Sequence, residues 1–210
     1  MPKLTRRESI ALVGMAPLAA GLAAGKDSPV SSGKSSRERI RDRYFPNLEL
    51  VTHEGKKVRF YDDLIKDKIV IINFMYANCE GICPGITANL VRVQKAFGDR
   101  VGRDIFMYSF TLKPEQDTPE VLKEYAEMHG AKPGWLFLTG KPDDMEILRR
   151  RLGFFDSDPE VDKDKSQHIG NVRYGNEPLQ QWGGCPGQGN PEWIVKLISG
   201  VDWPNKNRRG

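Results

Sequence analysis

From Tyr44 onward the apolar positions switch repeatedly between a period of two and a period near 3.6, the mark of alternating strands and helices. Residues 48–52 alternate as a strand, His53-Glu54-Gly55-Lys56 supplies a turn, and 58–60 returns as a hairpin partner. Residues 69–76 are almost unbroken in hydrophobicity, as a central strand covered on both faces should be, and 106–111 reads as a second. Between them Ile86, Leu90, Val93 and Phe97 fall at helical spacing. Thr118-Pro119-Glu120 opens another helix with a cap, a proline at the first position and an acid in the first turn. That helix passes Tyr125 and stops at Gly130. A strand over 135–139, a helix over 142–152, a hairpin of 169–174 with 179–182 turned at Gly175-Asn176, and a helix over 191–199 complete the series. The order predicts an α/β domain over 44–205, a central mixed sheet flanked by helices, though periodicity alone does not choose among α/β folds.

The ends are different in kind. Thr5-Arg6-Arg7-Glu8 precedes an apolar, small-residue run from Ala11 to Ala24 that ends in Leu22-Ala23-Ala24. The run is shorter than the roughly 20 residues a bilayer span requires, and paired arginines before it make residues 1–24 read as a twin-arginine-type signal peptide. Retention as an uncleaved membrane anchor and a short amphipathic or disordered N-terminus are the alternatives. Residues 25–43, rich in Ser, Gly and charge, read as a flexible linker. The expected location is therefore the periplasm or the outer face of the cytoplasmic membrane.

Charge sharpens this division. The chain of 210 residues carries a net +4, but 1–24 holds +2, 25–43 holds +3 and the basic tail 206–210 holds +3, which leaves 44–205 at −4. The domain has no basic excess to recognise nucleic acid, so none is expected as a partner.

Three cysteines fall in the domain: Cys79, Cys83 and Cys185. In an oxidising compartment an odd count leaves at least one thiol free, metal-bound or paired elsewhere. Cys79 and Cys83 lie four apart where a buried strand hands over to a helix, a spacing that sets both sulfurs on one face. The unpaired N–H groups of a helix start favour thiolate over thiol there. Two thiolates are soft donors suited to Cu(I), and an added imidazole would also accommodate Cu(II). A plain disulfide or a pair of buried thiols would fit the same spacing.

The run Phe74-Met75-Tyr76-Ala77-Asn78-Cys79-Glu80-Gly81-Ile82-Cys83-Pro84 resembles the F-x-Y-T-x-C-x-x-x-C-P core of the SCO/SenC family. Ser109 to Pro119 resembles that family's S-x-D-P-x-R-D-T-P segment, and Gly134 to Gly140 its G-W-x-x-L-T-G strand. The likeness runs in order over about residues 45–175. It implies a single thioredoxin-like domain that binds one copper per chain through Cys79, Cys83 and a distant histidine. His168 stands where that histidine is expected, after a charged loop and immediately before a strand. It further implies a copper-accepting partner, such as an oxidase subunit, with the chain a monomer acting as metal donor, thiol reductant or both. His53 in a turn and His129 at a helix end are read as bland, the first facing solvent and the second favoured as a cation by the helix dipole.

Three departures mark a divergent relative. Lys113 stands for the family's Asp and Gln116 for its Arg, Ser166-Gln167-His168 replaces V-D-H, and the strand after the histidine ends differently, running on to Trp182 and Cys185. Cys185 is open between a buried thiol, a resolving cysteine and an extra ligand or intermolecular link. The alternative functions are a thiol–disulfide oxidoreductase, with Cys79 and Cys83 as the redox pair, and a redox or copper sensor. A peroxidase-like enzyme would need only one cysteine and no paired motif.

Overall fold

The computed structural model describes residues 34–164 and 170–202, all within the compact unit that begins at Lys34. The elements run α1 (Ser36–Tyr44), β1 (Glu49–Thr52), β2 (Lys57–Arg59), β3 (Ile69–Met75), α2 (Cys83–Phe97), β4 (Ile105–Thr111), α3 (Pro119–Met128), β5 (Trp135–Thr139), α4 (Pro142–Arg151), α5 (Pro159–Lys163), β6 (Asn171–Asn176), β7 (Gln181–Pro186) and α6 (Pro191–Val201). The seven strands form one sheet in the order β2-β1-β5-β4-β3-β6-β7. The central β3–β4 and β4–β5 pairs are parallel and the outer pairs antiparallel, the expected mixed sheet.

Every residue of β3 is buried, because its alternate side chains enter two separate apolar layers. Ile71 and Met75 meet Ile86 and Leu90 of α2, Leu122 of α3 and Ile194 of α6 on one face. Ile72 and Phe74 meet Leu148 of α4, Phe60 and Phe154 on the other. A polar thread crosses the first layer: Trp135 Nε1 donates to Ser109 Oγ at 2.9 Å, and Ser109 donates to Asn73 Oδ1 at 2.7 Å. The three central strands are thus joined by side chains as well as backbone, and no member of the thread is left unsatisfied.

Three segments depart from the sequence reading. Residues 36–43, assigned above to a flexible linker, form most of α1. Its capping box is complete, with Ser35 Oγ accepting from the Glu38 N–H and the Glu38 carboxylate accepting from the Ser35 N–H. Arg37 fastens the helix to the domain by donating through Nε to Glu177 Oε1 at 2.7 Å and through Nη2 to both Glu177 Oε2 and Asp67. Composition hid this because the helix buries no residue fully and its hold is ionic. The expected hairpin turn also moves. Gly175 and Asn176 stay in β6, opposite Trp182 and Gln181, and the chain reverses over residues 177–180 with Gln180 at φ 52°. Gly175 serves packing instead, since a Cβ there would lie 2.1 Å from Trp182 Cε3; its absence lets the indole lie flat on the strand. Finally, α5 occupies the charged stretch read as a loop, capped by Asp158. The signal peptide over 1–24 and the basic tail 206–210 lie outside the described residues.

Candidate metal centre

β3 ends at Met75, and the chain then turns through Tyr76–Ile82 before α2 begins at Cys83 with Pro84 in its first turn. Both cysteines are buried, Cys79 at 7% and Cys83 at 1% exposure, in the layer that also contains Tyr76, Ile86 and Val172. The loop is pinned from below by Asp117, itself buried. Its carboxylate accepts from the Ala77 N–H at 3.2 Å and from Thr111 Oγ1, whose oxygen in turn accepts from the Lys113 N–H at 2.9 Å. Burial raises the Asp117 carboxyl above its usual range, against the pull of those two hydrogen bonds. The end of β4 and the loop after it therefore form a polar cradle that fixes where the cysteine turn begins.

The two thiols are hydrogen-bonded to each other and behave oppositely. Burial alone would raise Cys79. Hydrogen bonds from the Cys83 thiol and the Tyr76 hydroxyl, followed by the N–H groups of Cys83 and Gly81, bring it below the ordinary thiol range. Burial, reinforced by the bond to Cys79, pushes Cys83 up to about 12. The asymmetry makes Cys79 the readier thiolate of the pair, the better nucleophile and first ligand, while Cys83 holds its proton more tightly until a metal or a disulfide partner displaces it. Lys113 adds a cation to this environment, its Nζ 3.9 Å from the centre of the Tyr76 ring. The position at which the sequence departs from the family's aspartate is therefore one residue removed from the Cys79 sulfur.

Tyr76→Phe removes one donor from Cys79 and is expected to raise its pKa. Alkylation by iodoacetamide near neutral pH should slow, and its pH midpoint should move up. An unchanged midpoint would show that the Cys83 thiol and the backbone N–H groups lower Cys79 without help from Tyr76.

His168 lies outside the described residues, but its attachment point does not. A Cβ on Gly170 would lie 2.6 Å from Ile82 Cδ1 and 2.9 Å from Ile86 Cδ1, so the backbone there runs directly against the residue before Cys83. Upstream, α5 is tied to α4. Arg149, 4% exposed, donates through Nη1 and Nη2 to Asp162 at 2.6 and 2.7 Å and through Nη1 to Phe154 O at 2.7 Å.

Cys185 is a free, buried thiol of β7, in the same apolar layer as Cys79 and Cys83, and burial pushes it up to about 11. Among the described residues no disulfide joins the three cysteines. His53 is half-buried rather than solvent-facing: its Nδ1 accepts from the Phe137 N–H at 3.2 Å, and burial lowers its pKa. His129 is also lowered by burial, its ring 4.2 Å from that of Tyr125, so desolvation outweighs the helix dipole. Among the described residues no group of three or more His, Cys, Asp or Glu side chains could hold a metal ion.

The sequence model for SCO1/SenC matches residues 36–174, more than half of the chain. The chain belongs to the SCO1/SenC family. The SCO1 protein homolog of Bacillus subtilis is 34% identical over 88 residues, which are 41% of this chain and 44% of that protein. The chain thus spans less than half the length of that relative. Copper-bound ScoI of Bradyrhizobium japonicum superposes with a TM-score of 0.59 at 20% identity, covering 73% of this chain and 96% of ScoI. BsSco superposes with a TM-score of 0.58 at 24% identity, covering 73% of this chain and 90% of its own; it is a member of the Sco family of cytochrome c oxidase assembly proteins in which a disulfide switch has been identified. These likenesses establish the expected thioredoxin-like fold.

Tyr76, Asp117 and Gly170 are the site residues that sequence reasoning did not single out. The first two lay in plain view inside the quoted motifs, and only the fold shows that they meet at the cysteine turn. Gly170 gave no signal beyond standing two residues after His168.

Proposed function

We propose that this protein is a copper-binding assembly factor of the bacterial envelope, which holds one copper ion through Cys79, Cys83 and His168 and passes it to a cuproenzyme such as cytochrome c oxidase. The observation that carries the reading is the paired sulfur site at the start of α2, one thiol depressed and one raised, within hydrogen-bond contact of each other. Two sulfurs so placed match the donor preference of Cu(I). Family membership supports the His168 imidazole as third ligand. Family membership and the likeness to copper-bound ScoI point the same way.

The chemistry is ligand exchange. Copper is the cargo, and loading it displaces the proton that Cys83 holds, so uptake should strengthen as pH rises toward the Cys83 range. An acceptor rich in Cys and His would take the ion by replacing these sulfurs one at a time. Export by the 1–24 segment would deliver the protein to the compartment where such acceptors mature.

A second reading is favoured by the same proton asymmetry. Cys79 thiolate could attack a partner's disulfide, forming a mixed disulfide and releasing one partner thiolate. Cys83, once deprotonated, would then attack the Cys79 sulfur, releasing the second partner thiol and leaving a Cys79–Cys83 disulfide. Both electrons come from the two cysteines, and BsSco's disulfide switch is a precedent in a relative.

The deciding experiment is an anaerobic Cu(I) titration of the reduced protein under chelator competition, followed by Cu(II) by absorbance, with His168→Ala and Cys185→Ser alongside. One-to-one binding weakened by His168→Ala and indifferent to Cys185→Ser supports the copper reading. Weak binding that ignores His168→Ala, beside a readily cycled Cys79–Cys83 disulfide, would replace it with the oxidoreductase.

A further inference from the structure

The loop after β4 aims a cation at the cysteine turn. Lys113 is fixed at its backbone by three hydrogen bonds: its N–H donates to Thr111 Oγ1, and its carbonyl accepts from the Gln116 and Asp117 N–H groups, each at 2.9 Å. From there the side chain lies over Tyr76, with Nζ 3.9 Å from the ring centre. That is well inside the distance at which a ring face attracts a cation. Tyr76 is 5% exposed, and its hydroxyl is hydrogen-bonded to Cys79. One buried aromatic ring therefore stands between the ammonium and the Cys79 sulfur.

The charge is not cancelled where it sits. Among the described residues no carboxylate lies within 4.0 Å of Lys113 Nζ. Two acids share the neighbourhood. The lysine's charge reaches Asp117 below the turn, but that carboxylate is engaged by the Ala77 N–H and the Thr111 hydroxyl. Asp164, the residue after α5, acts on Tyr76 as an anion. Lys113 itself is half-buried, and a charge acting across packed side chains is felt more strongly than across water. The SCO/SenC segment that this loop resembles has an aspartate at the position of Lys113, so the sign of this charge is reversed in the present chain.

The sign matters for a metal that can be held in two oxidation states. A site of two thiolates and a neutral imidazole carries one net negative charge with Cu(I) and none with Cu(II). The two loaded states differ by one electron, so a fixed cation nearby stabilises the first relative to the second. We propose that Lys113 is a specificity-determining residue that biases the site toward Cu(I). The inference rests on the copper reading and goes one step beyond it, naming the oxidation state of the cargo. Soft sulfur donors already incline the site that way. Lys113 adds roughly tenfold to the ratio of Cu(I) to Cu(II) affinity, the order expected for one unit charge several ångströms away across partly buried protein.

The test is the Cu(II)/Cu(I) potential of the loaded protein, followed by redox titration of the Cu(II) absorbance at low ionic strength. Wild type is compared with Lys113→Arg, Lys113→Gln and Lys113→Glu, with circular dichroism and Cu(I) stoichiometry checking that each is folded and loaded. Arginine keeps the charge and stacks on aromatic rings, so that variant should stay with wild type. Glutamine should lower the potential by about 59 mV, the one-electron equivalent of tenfold, and glutamate by about twice that. Added sodium perchlorate should narrow the spread, because salt screens a charge and leaves packing alone. If the charge reversal unfolds the turn, the arginine and glutamine variants decide the sign by themselves. Equal potentials in the variants would overturn the inference and leave copper binding intact. So would a spread indifferent to salt, which would show that the side chain acts by shape. A wild-type chain that takes up neither ion would overturn the copper reading, and this inference with it.

Discussion

Cys83→Ser is expected to reduce Cu(I) affinity by far more than the roughly 10–100-fold that loss of a supporting residue around a metal costs. The serine hydroxyl is a hard, weakly acidic donor in place of a soft thiolate, and it sits where burial already opposes a charge. Cys79→Ser should do comparable damage, whereas Tyr76→Phe, which removes only a hydrogen bond to Cys79, should stay within the smaller range. Chelator competition on the three variants gives the ranking directly. A Cys83→Ser protein that still binds Cu(I) within tenfold of wild type would remove Cys83 from the ligand set.

The second large effect concerns stability. Asp162→Asn is expected to destabilise the fold by about 3 kcal/mol, the low end for a broken buried pair, because the buried Arg149 guanidinium keeps only the more exposed Glu146 as countercharge. The pair is bidentate, both partners are almost inaccessible, and Asp162 also accepts from the Asp156 N–H at 3.0 Å and from Arg150 at 2.8 Å. Surface pairs such as Lys163–Glu160 should by contrast contribute within about 1 kcal/mol. Urea unfolding of the metal-free protein would separate the two cases. Because the pair ties α4 to the segment that leads toward residue 168, the same variant should lose copper affinity in the still-folded fraction. A loss of less than 1 kcal/mol would mean that water reaches Arg149 and the pair is not buried in solution.

Much of the sheet was legible in the sequence because its strands obey one physical rule each. Residues 69–76 are apolar on both faces because β3 is covered on both faces, and Thr118-Pro119-Glu120 starts α3 because its cap and first turn are local. The cysteine motif was equally legible, since four-residue spacing at a strand–helix junction needs no tertiary information. What stayed hidden depends on partners distant in the chain. α1 owes its place to Arg37 meeting Glu177, 140 residues away, and nothing in a run of Ser, Arg and Glu announces that. The turn after β6 was misplaced because Gly175-Asn176 has turn chemistry, yet the glycine is required for the indole of Trp182. The opposed shifts of Cys79 and Cys83 follow from unequal burial and from Tyr76, neither of which spacing can express.

The chain comes into the domain at α1, whose Ile40 rests on the apolar layer containing Phe45 and Phe60, while Cys79 and Cys83 lie in the layer on the reverse side of the sheet. An attachment made at α1 would therefore sit on the sheet face away from the thiols. A bead, an affinity tag or a fluorescent partner joined at α1 should leave an incoming acceptor a clear line of approach, whereas the same cargo grafted beside α2 would stand in its path.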